Sequence, residues 1–388
     1  MRNCIFIFAL ILEFSLVSNA TIRTVNNLPS SAGQYTSAQA AVDASNPNDT
    51  IYIHASPASY GNLVIDRPLC IMGEGARTTQ QNLYPTMVEN LHLVFNSNNT
   101  SSASGSKIIG LKIVSGLYLG ANHSVQIGTV TGSPLYNGVS NVYFFRNEIG
   151  SSLVSSNLNP DPLNNGYRLY SQLVFVQNVI GSFITPERFS NCMFFNNIIY
   201  SGINQGNNMD ATFDGGHIIK NNLIGGDVSL IGSIVQDNIL YRSAYPTWFT
   251  FYSLRGVSYS NNLFRFSVYW DYSGQEATVA SMGTNLASNV EHFVNMSPNI
   301  DIATQMLSGA DFHLLTTSPG INMSSTGGQV GIYGGPFPWV DGDVSYGLNY
   351  RYFPMPNALP IVKELTITNP MVTPTGVLNI QFKAHSQE

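Results

Sequence analysis

One local pattern of apolar and polar positions recurs along the middle of the chain. Short apolar runs flank a polar residue followed by an asparagine. It reads "YFFRNEIG", "VFVQNVIG", "MFFNNIIY", "IIKNNLIG", "IVQDNILY" and "SYSNNLFR". The shared asparagines are Asn147, Asn178, Asn197, Asn222, Asn238 and Asn262, spaced 31, 19, 25, 16 and 24 residues apart. The apolar runs are too short for helices and rich in Phe, Ile, Val and Tyr, so each predicts a short strand. A unit repeated at roughly 20–50 residues predicts a solenoid. Strand-sized units predict coils of parallel strands stacked on one another. "IIGLKIVSG", Ile108 to Gly116, reads as a related coil without the asparagine.

An asparagine among large apolar residues is costly unless its amide is paired. In stacked coils it can occupy a tight bend, because it tolerates the left-handed conformation. Its carboxamide both donates and accepts, so it can bond to its counterpart one coil away. The six asparagines are therefore expected at equivalent bends, forming a structural ladder.

The flanks predict different elements. Ser37 to Ala44 reads as a short amphipathic helix with Ser37 as N-cap. A turn at Asn46–Asp49, a strand from Thr50 to His54 and further strands follow. Beyond Gly335 the chain becomes rich in Pro, Tyr and Gly, and "IVKELTIT" and "VLNIQFKAH" then read as two strands. Two strands alone are marginal, so this tail is expected to pack on the solenoid as a cap, or to dock on a partner. The predicted organisation is a leader over 1–20, a solenoid with its N-terminal cap over 21–335, and a connector with a two-strand tail over 336–388.

Composition narrows the function classes. The chain is 44% hydrophobic and only 10% charged, against about 25% charged in ordinary soluble domains. Its polar character comes from Ser, Thr, Gly and about forty asparagines. The net charge is −6 and there is no basic run, which argues against nucleic acid or an anionic membrane as partner. The opening "MRNCIFIFALILEFSLVSNA" has one cation, an apolar run and small residues before a cleavage point at Ala20, the pattern of a signal peptide. Glu13 interrupts the run, which is short for a membrane anchor. Export is expected, to the cell surface or outside the cell, with the periplasm left open. Cys70 and Cys192, in apolar runs, read as small buried hydrophobes, with a bridge between them the alternative.

Between Ser37 and Gly75 the residues carry a resemblance. Ala41-Val42-Asp43-Ala44, Asp49-Thr50-Ile51, Tyr60 and the run from Ile65 to Gly75 match, in order, the N-terminal cap of right-handed parallel β-helix proteins of the pectate-lyase-like superfamily. "DFHLLTTSPGIN" (Asp311 to Asn322) and "GQVGIYGG" (Gly328 to Gly335) resemble last-coil motifs of the same proteins. The resemblance covers residues 35 to 335. It implies an all-β, single-stranded right-handed parallel β-helix solenoid, here with a short capping helix and a hairpin-like C-terminal tail, and a bacterial source. It also implies carbohydrate as partner for a polysaccharide lyase or glycoside hydrolase, or else a non-catalytic binder of carbohydrate or other cell-surface partners. The superfamily's activities differ, so fold does not give function.

Candidate chemistry is sparse. Asp210, Asp214 and His217 in "NNMDATFDGGHIIKNN" resemble elements of polygalacturonase-type hydrolases. All lie within thirteen residues, whereas those enzymes spread them over separate coils, and no facing carboxylate pair is evident. The seven histidines show no paired metal spacing and no calcium loop is present, so no metal or cofactor is expected. Tyr245 to Tyr272 holds eleven aromatic residues. Strand alternation sends every second side chain outward. Trp248, Tyr252, Arg265, Trp270 and Asp271 are accordingly candidates for a sugar platform of flat apolar faces with a polar rim. The alternative is aromatic core. The balance of these observations favours binding over catalysis.

Overall fold

Each coil is a sequence of short strands joined by left-handed corners. Around Asn197 the corner Asn191 (φ 52) leads into the strand Met193–Phe195, and the corner Asn196 (φ 53) leads into Ile198–Ile199. Equivalent strands stack in parallel and in register: Met193 faces Val174 and Ile218, and Ile198 faces Val179 and Leu223. The computed structural model describes the chain from Ala20 to Trp339, apart from residues 30–32, 77–83, 97–100, 122–125, 131–132, 151, 154–166, 186–187, 206–214, 243–247, 253–254, 272, 279–280, 297–299 and 309, together with 361–367 and 380–385. The leader, Asp210, Asp214 and the connector over 340–360 lie outside the described residues.

The stacked strands build a parallel β-helix. Its first sheet has ten strands, from Ile22–Val25 to Ser258–Ser260. The second sheet carries the strands that follow the asparagines, from Glu148–Ile149 to Leu286–Ala287. A third flank is made of shorter pieces, among them Phe183–Thr185, Ile203–Gln205, and the pair Trp248–Phe251 and Ser267–Trp270. Inside, identical positions pile up at the strand spacing of about 4.8 Å. The rings of Phe144, Phe175 and Phe194 stack at 4.6 and 4.9 Å.

The sequence reading placed the ladder asparagines themselves in the left-handed corner. The structure puts the preceding residue there instead. Arg146, Gln177, Asn196, Asn221, Asp237 and Asn261 have φ between 53 and 59. This corner swings the next residue, the ladder asparagine, into the interior. In the coil lacking the asparagine, Gly110 (φ 67) takes the corner and Leu111 the interior place.

At the N-terminal end the helix Ala38–Asp43 buries Ala38, Ala41 and Val42, and the Ser37 side chain caps it by accepting from the Ala40 N–H. At the other end, Ala277 and Met282 join the main core. The chain then turns back. A segment from Glu291 to Trp339, containing the antiparallel pair Phe293–Asn295 and Asp311–Leu314 and the helix Ile302–Ser308, covers the outer face of the second sheet. Outward residues Val179, Ile198, Leu223, Ile239 and Leu263 are buried beneath its Phe293, Met306, Phe312, Val330, Ile332 and Trp339, forming a second core. The stretches resembling last-coil motifs lie in this strap. Among the described residues, Ile361–Ile367 and Ile380–His385 form an antiparallel hairpin that pairs with no other strand. No described helix is long and apolar enough to cross a membrane. Cys70 and Cys192 are both free thiols.

Candidate functional site

The six asparagines form one continuous ladder. The Asn178 N–H and Nδ2 donate to Asn197 Oδ1 at 2.9 and 3.0 Å. Asn197 Nδ2 in turn donates to Asn222 Oδ1 and to the Phe175 carbonyl, both at 2.9 Å. The same bonds link Asn147 to Asn178, Asn222 to Asn238, and Asn238 to Asn262. The ladder runs one step further than the repeat indicated, because Asn262 donates to Asn285 Oδ1 at 2.9 Å. Asn285 follows a turn rather than an apolar run, so the pattern did not reveal it. All six are fully buried, and their role is structural.

The corner residues beside the ladder hold the strap. Gln177 Nε2 donates to the carbonyls of Phe337 and Pro338 at 3.0 and 2.9 Å. Asn196 Nδ2 donates to those of Ile332 and Gly334 at 2.9 and 2.7 Å. The Asp237 carboxylate accepts from the Ser325 N–H and hydroxyl at 2.7 and 2.6 Å. The adjacent amides of "MFFNNIIY" thus serve opposite sides: Asn197 stitches the interior, and Asn196 fastens the strap outside.

Of the hydrolase-like candidates, only His217 is described. It sits at an interior corner, fully buried, with its Nδ1 accepting from the Cys192 N–H at 3.3 Å. Burial drives its pKa down to about 4, against a raising contribution from the Phe189 backbone. A neutral imidazole inside the stack has no route to a polysaccharide.

The aromatic candidates separate. On the third flank, the strands Trp248–Phe251 and Ser267–Trp270 lie parallel. Phe249, Phe251 and Val268 are buried, while Trp248, Thr250 and Tyr269 are half-buried on the outer side. The Trp248 and Tyr269 rings meet edge to face at 6.2 Å. Trp270 instead packs on buried Phe251 at 4.9 Å, as part of the main core. Tyr252 also packs on that core, and its hydroxyl reaches Asp227 Oδ2 at 3.5 Å. Asp271 gives its backbone N–H to the Phe251 carbonyl. Arg265 belongs elsewhere, on the second sheet, where it is 6% exposed and pairs with Glu291 at 3.2 Å beside Tyr241. Its proximity to the aromatic run is in sequence only, because a corner separates the two flanks.

Sequence reasoning missed Asp227, Arg242 and Tyr269. Asp227 Oδ1 accepts from Arg242 and from the Thr250 N–H, both at 3.1 Å. Burial pushes its carboxyl pKa up, although Arg242 and these donors pull the other way. Arg242 also donates to the Trp248 carbonyl. Ser267, the strand partner of Trp248, opens into a shallow pocket of about 170 Å³ that also includes Glu276, Asn285 and Ser288. Ala277, Met282, Leu286 and Ala287 supply the pocket's apolar half, and the outer rings of Trp248 and Tyr269 lie near the Asp227–Arg242 ion pair.

No family model and no curated protein matches this chain. Among the described residues no group of three or more His, Cys, Asp or Glu could hold a metal ion.

Proposed function

We propose that this is an exported parallel β-helix protein of the pectate-lyase-like kind that binds neutral polysaccharide without cleaving it. The observation that supports this is the outward pair Trp248 and Tyr269, on strands whose backbone is tied to the Asp227–Arg242 pair. Stacking supplies affinity, and hydroxyls and amides at the rim supply orientation. The Asp227–Arg242 pair is internally neutralised, which favours neutral over acidic sugars as the ligand class. Export is proposed from the leader-like opening sequence.

The test is a glycan array with the secreted protein, followed by calorimetry on the hits. Trp248→Ala is expected to weaken binding about tenfold or more, the loss of a stacked aromatic worth roughly 1–3 kcal/mol at alanine-scan scale, with the melting temperature unchanged. Trp270→Ala, by contrast, is expected to lower the melting temperature. Release of reducing or unsaturated ends from any glycan by the wild type, abolished by a single acidic or basic substitution, would replace binding with catalysis.

A further inference from the structure

The first sheet presents a bare apolar face. In its central strands the middle residue points inward, as with the buried Phe144, Phe175, Phe194, Ile219 and Val235. The flanking positions point outward. They are Tyr143 and Phe145, Val174 and Val176, Met193 and Phe195, then Ile218 and Ile234, of which Val176 is already buried. Tyr143 and Ile234 are 43% and 48% exposed. Five coils at about 4.8 Å and two columns about 7 Å apart make a patch some 20 Å long and a few hundred Å² in area. A patch of that size matches the largest apolar patch of an ordinary monomer, which is often functional.

Its dimensions select the occupant. A stable homodimer buries roughly 800 Å² per partner, more than this face offers. A two-stranded hairpin of six or seven residues per strand is about 20 Å long and one strand spacing wide, and it fits. This chain carries such a hairpin, Ile361–Ile367 with Ile380–His385, which pairs with no other described strand. Its register sets Leu365 opposite Phe382, Ile367 opposite Ile380 and, past a bulge, Val362 opposite Ala384. Directly opposed residues share a face, so these six of the seven apolar positions share one side of the ladder, and Ile361, opposite His385, falls on the other. Glu364 with Lys383 and Thr366 with Gln381 fall on the other. A hairpin with one apolar face is marginal until that face is covered.

The chain also leaves the strap at the right place. Trp339 Nε1 donates to the Asn196 carbonyl, at the corner between first and second sheets. Phe337 already touches Phe195 of the apolar face, with ring centroids 5.9 Å apart. The 21 residues over 340–360 span up to about 70 Å when extended, more than three times the length of the patch. We propose that the C-terminal hairpin docks its apolar face onto the outer face of the first sheet, over the coils of Tyr143 to Ile234. It closes the side of the solenoid rather than its end.

A specific protease site placed within residues 340–360 tests this on the full folded chain. After cleavage under native conditions, the fragment containing 361–388 is expected to co-elute with the body in gel filtration. Met193→Glu on the face and Phe382→Glu on the hairpin should each release it, with the thermal melt of the body unchanged. Phe382→Glu leaves the body untouched, so it decides the matter even where Met193→Glu disturbs folding. A wild-type fragment that separates on cleavage overturns the proposal, as does one retained equally by both variants. A cleaved body that runs as a dimer and becomes a monomer with Met193→Glu would assign the face to a second copy instead.

Discussion

Asn197→Ala tests the ladder most directly, because the structure fixes what the substitution removes. Its Oδ1 is the acceptor for the Asn178 N–H, and its Nδ2 donates to Asn222 Oδ1 and the Phe175 carbonyl. Partners are not stranded equally. Asn178 Nδ2 keeps the carbonyls of Phe144 and Val176, and Asn222 Oδ1 keeps the Asn197 backbone N–H. The Asn178 N–H loses its acceptor in a fully buried place. One stranded donor costs about 1–3 kcal/mol, and the weakened acceptors add roughly 1 more. A small cavity where the carboxamide stood adds about another 1 kcal/mol, for a total near 3–5 kcal/mol. Equilibrium unfolding in urea at neutral pH measures it, with the denaturant slope unchanged. A loss under about 1 kcal/mol would refute the reasoning, since it would mean that water or repacking satisfies the Asn178 N–H.

Three further outcomes follow from the same geometry. Asn196→Ala is expected to loosen the strap while leaving the coils intact, so hydrogen exchange should rise over residues 323–339 far more than in the first sheet. Gly181→Ala is expected to cost about 3 kcal/mol or more as overpacking, because a Cβ there would stand 1.8 Å from the Gly150 carbonyl oxygen; recovery of normal yield and melting temperature would contradict the close stacking of coils. Burial lowers the pKa of both His217 and His292 from 6.5 to about 4. The unfolded chain therefore binds protons first, and stability that is complete above pH 6.5 should drain away towards pH 4, by up to about 3 kcal/mol per histidine. His217→Gln should flatten that slope in urea midpoints measured against pH.

The β-helix was legible because its signal is local. Each coil repeats one unit, and the apolar, polar, Asn, apolar order survives irregular spacing, since loops of different length leave from the same corners. The capping helix was legible for the same reason, through Ser37 and the alanines after it. The strap was not. Its partners are Gln177, Asn196, Asp237 and Asn261, corner residues of differing type that bond a segment 62 to 161 positions away. Nothing in the short range distinguishes a corner side chain that bonds the strap from one that meets water. The platform was half legible. The aromatic run marked Trp248, but Trp248 registers with Ser267 and Trp270 with inward Phe251, so alternation itself sends Trp270 inward. Asp227 stood in "GGDVSL", a coil earlier in the chain, and only stacking brings it beside Trp248.

The outer faces of the three flanks follow one rule, set by composition. A chain with 10% charged residues cannot clothe a solenoid in ions, so most outward positions are neutral polar or apolar. The third flank is mixed where it is open, with Asn204 and Thr250 outward as well as the rings of Trp248 and Tyr269. The second sheet is apolar outward, and there the strap buries Val179, Ile198, Leu223, Ile239 and Leu263. The first sheet is as apolar outward as the second, yet the strap stops at its edge with Phe337 on Phe195. The first sheet turns polar one column at a time: Lys220, Gln236 and Ser260 follow one another in one column, while the other stays apolar to Ile234. The boundary between apolar and polar surface thus falls inside the sequence of a single sheet. A hairpin seated from Tyr143 to Ile234 would end where Ser258 and Ser260 make both columns polar.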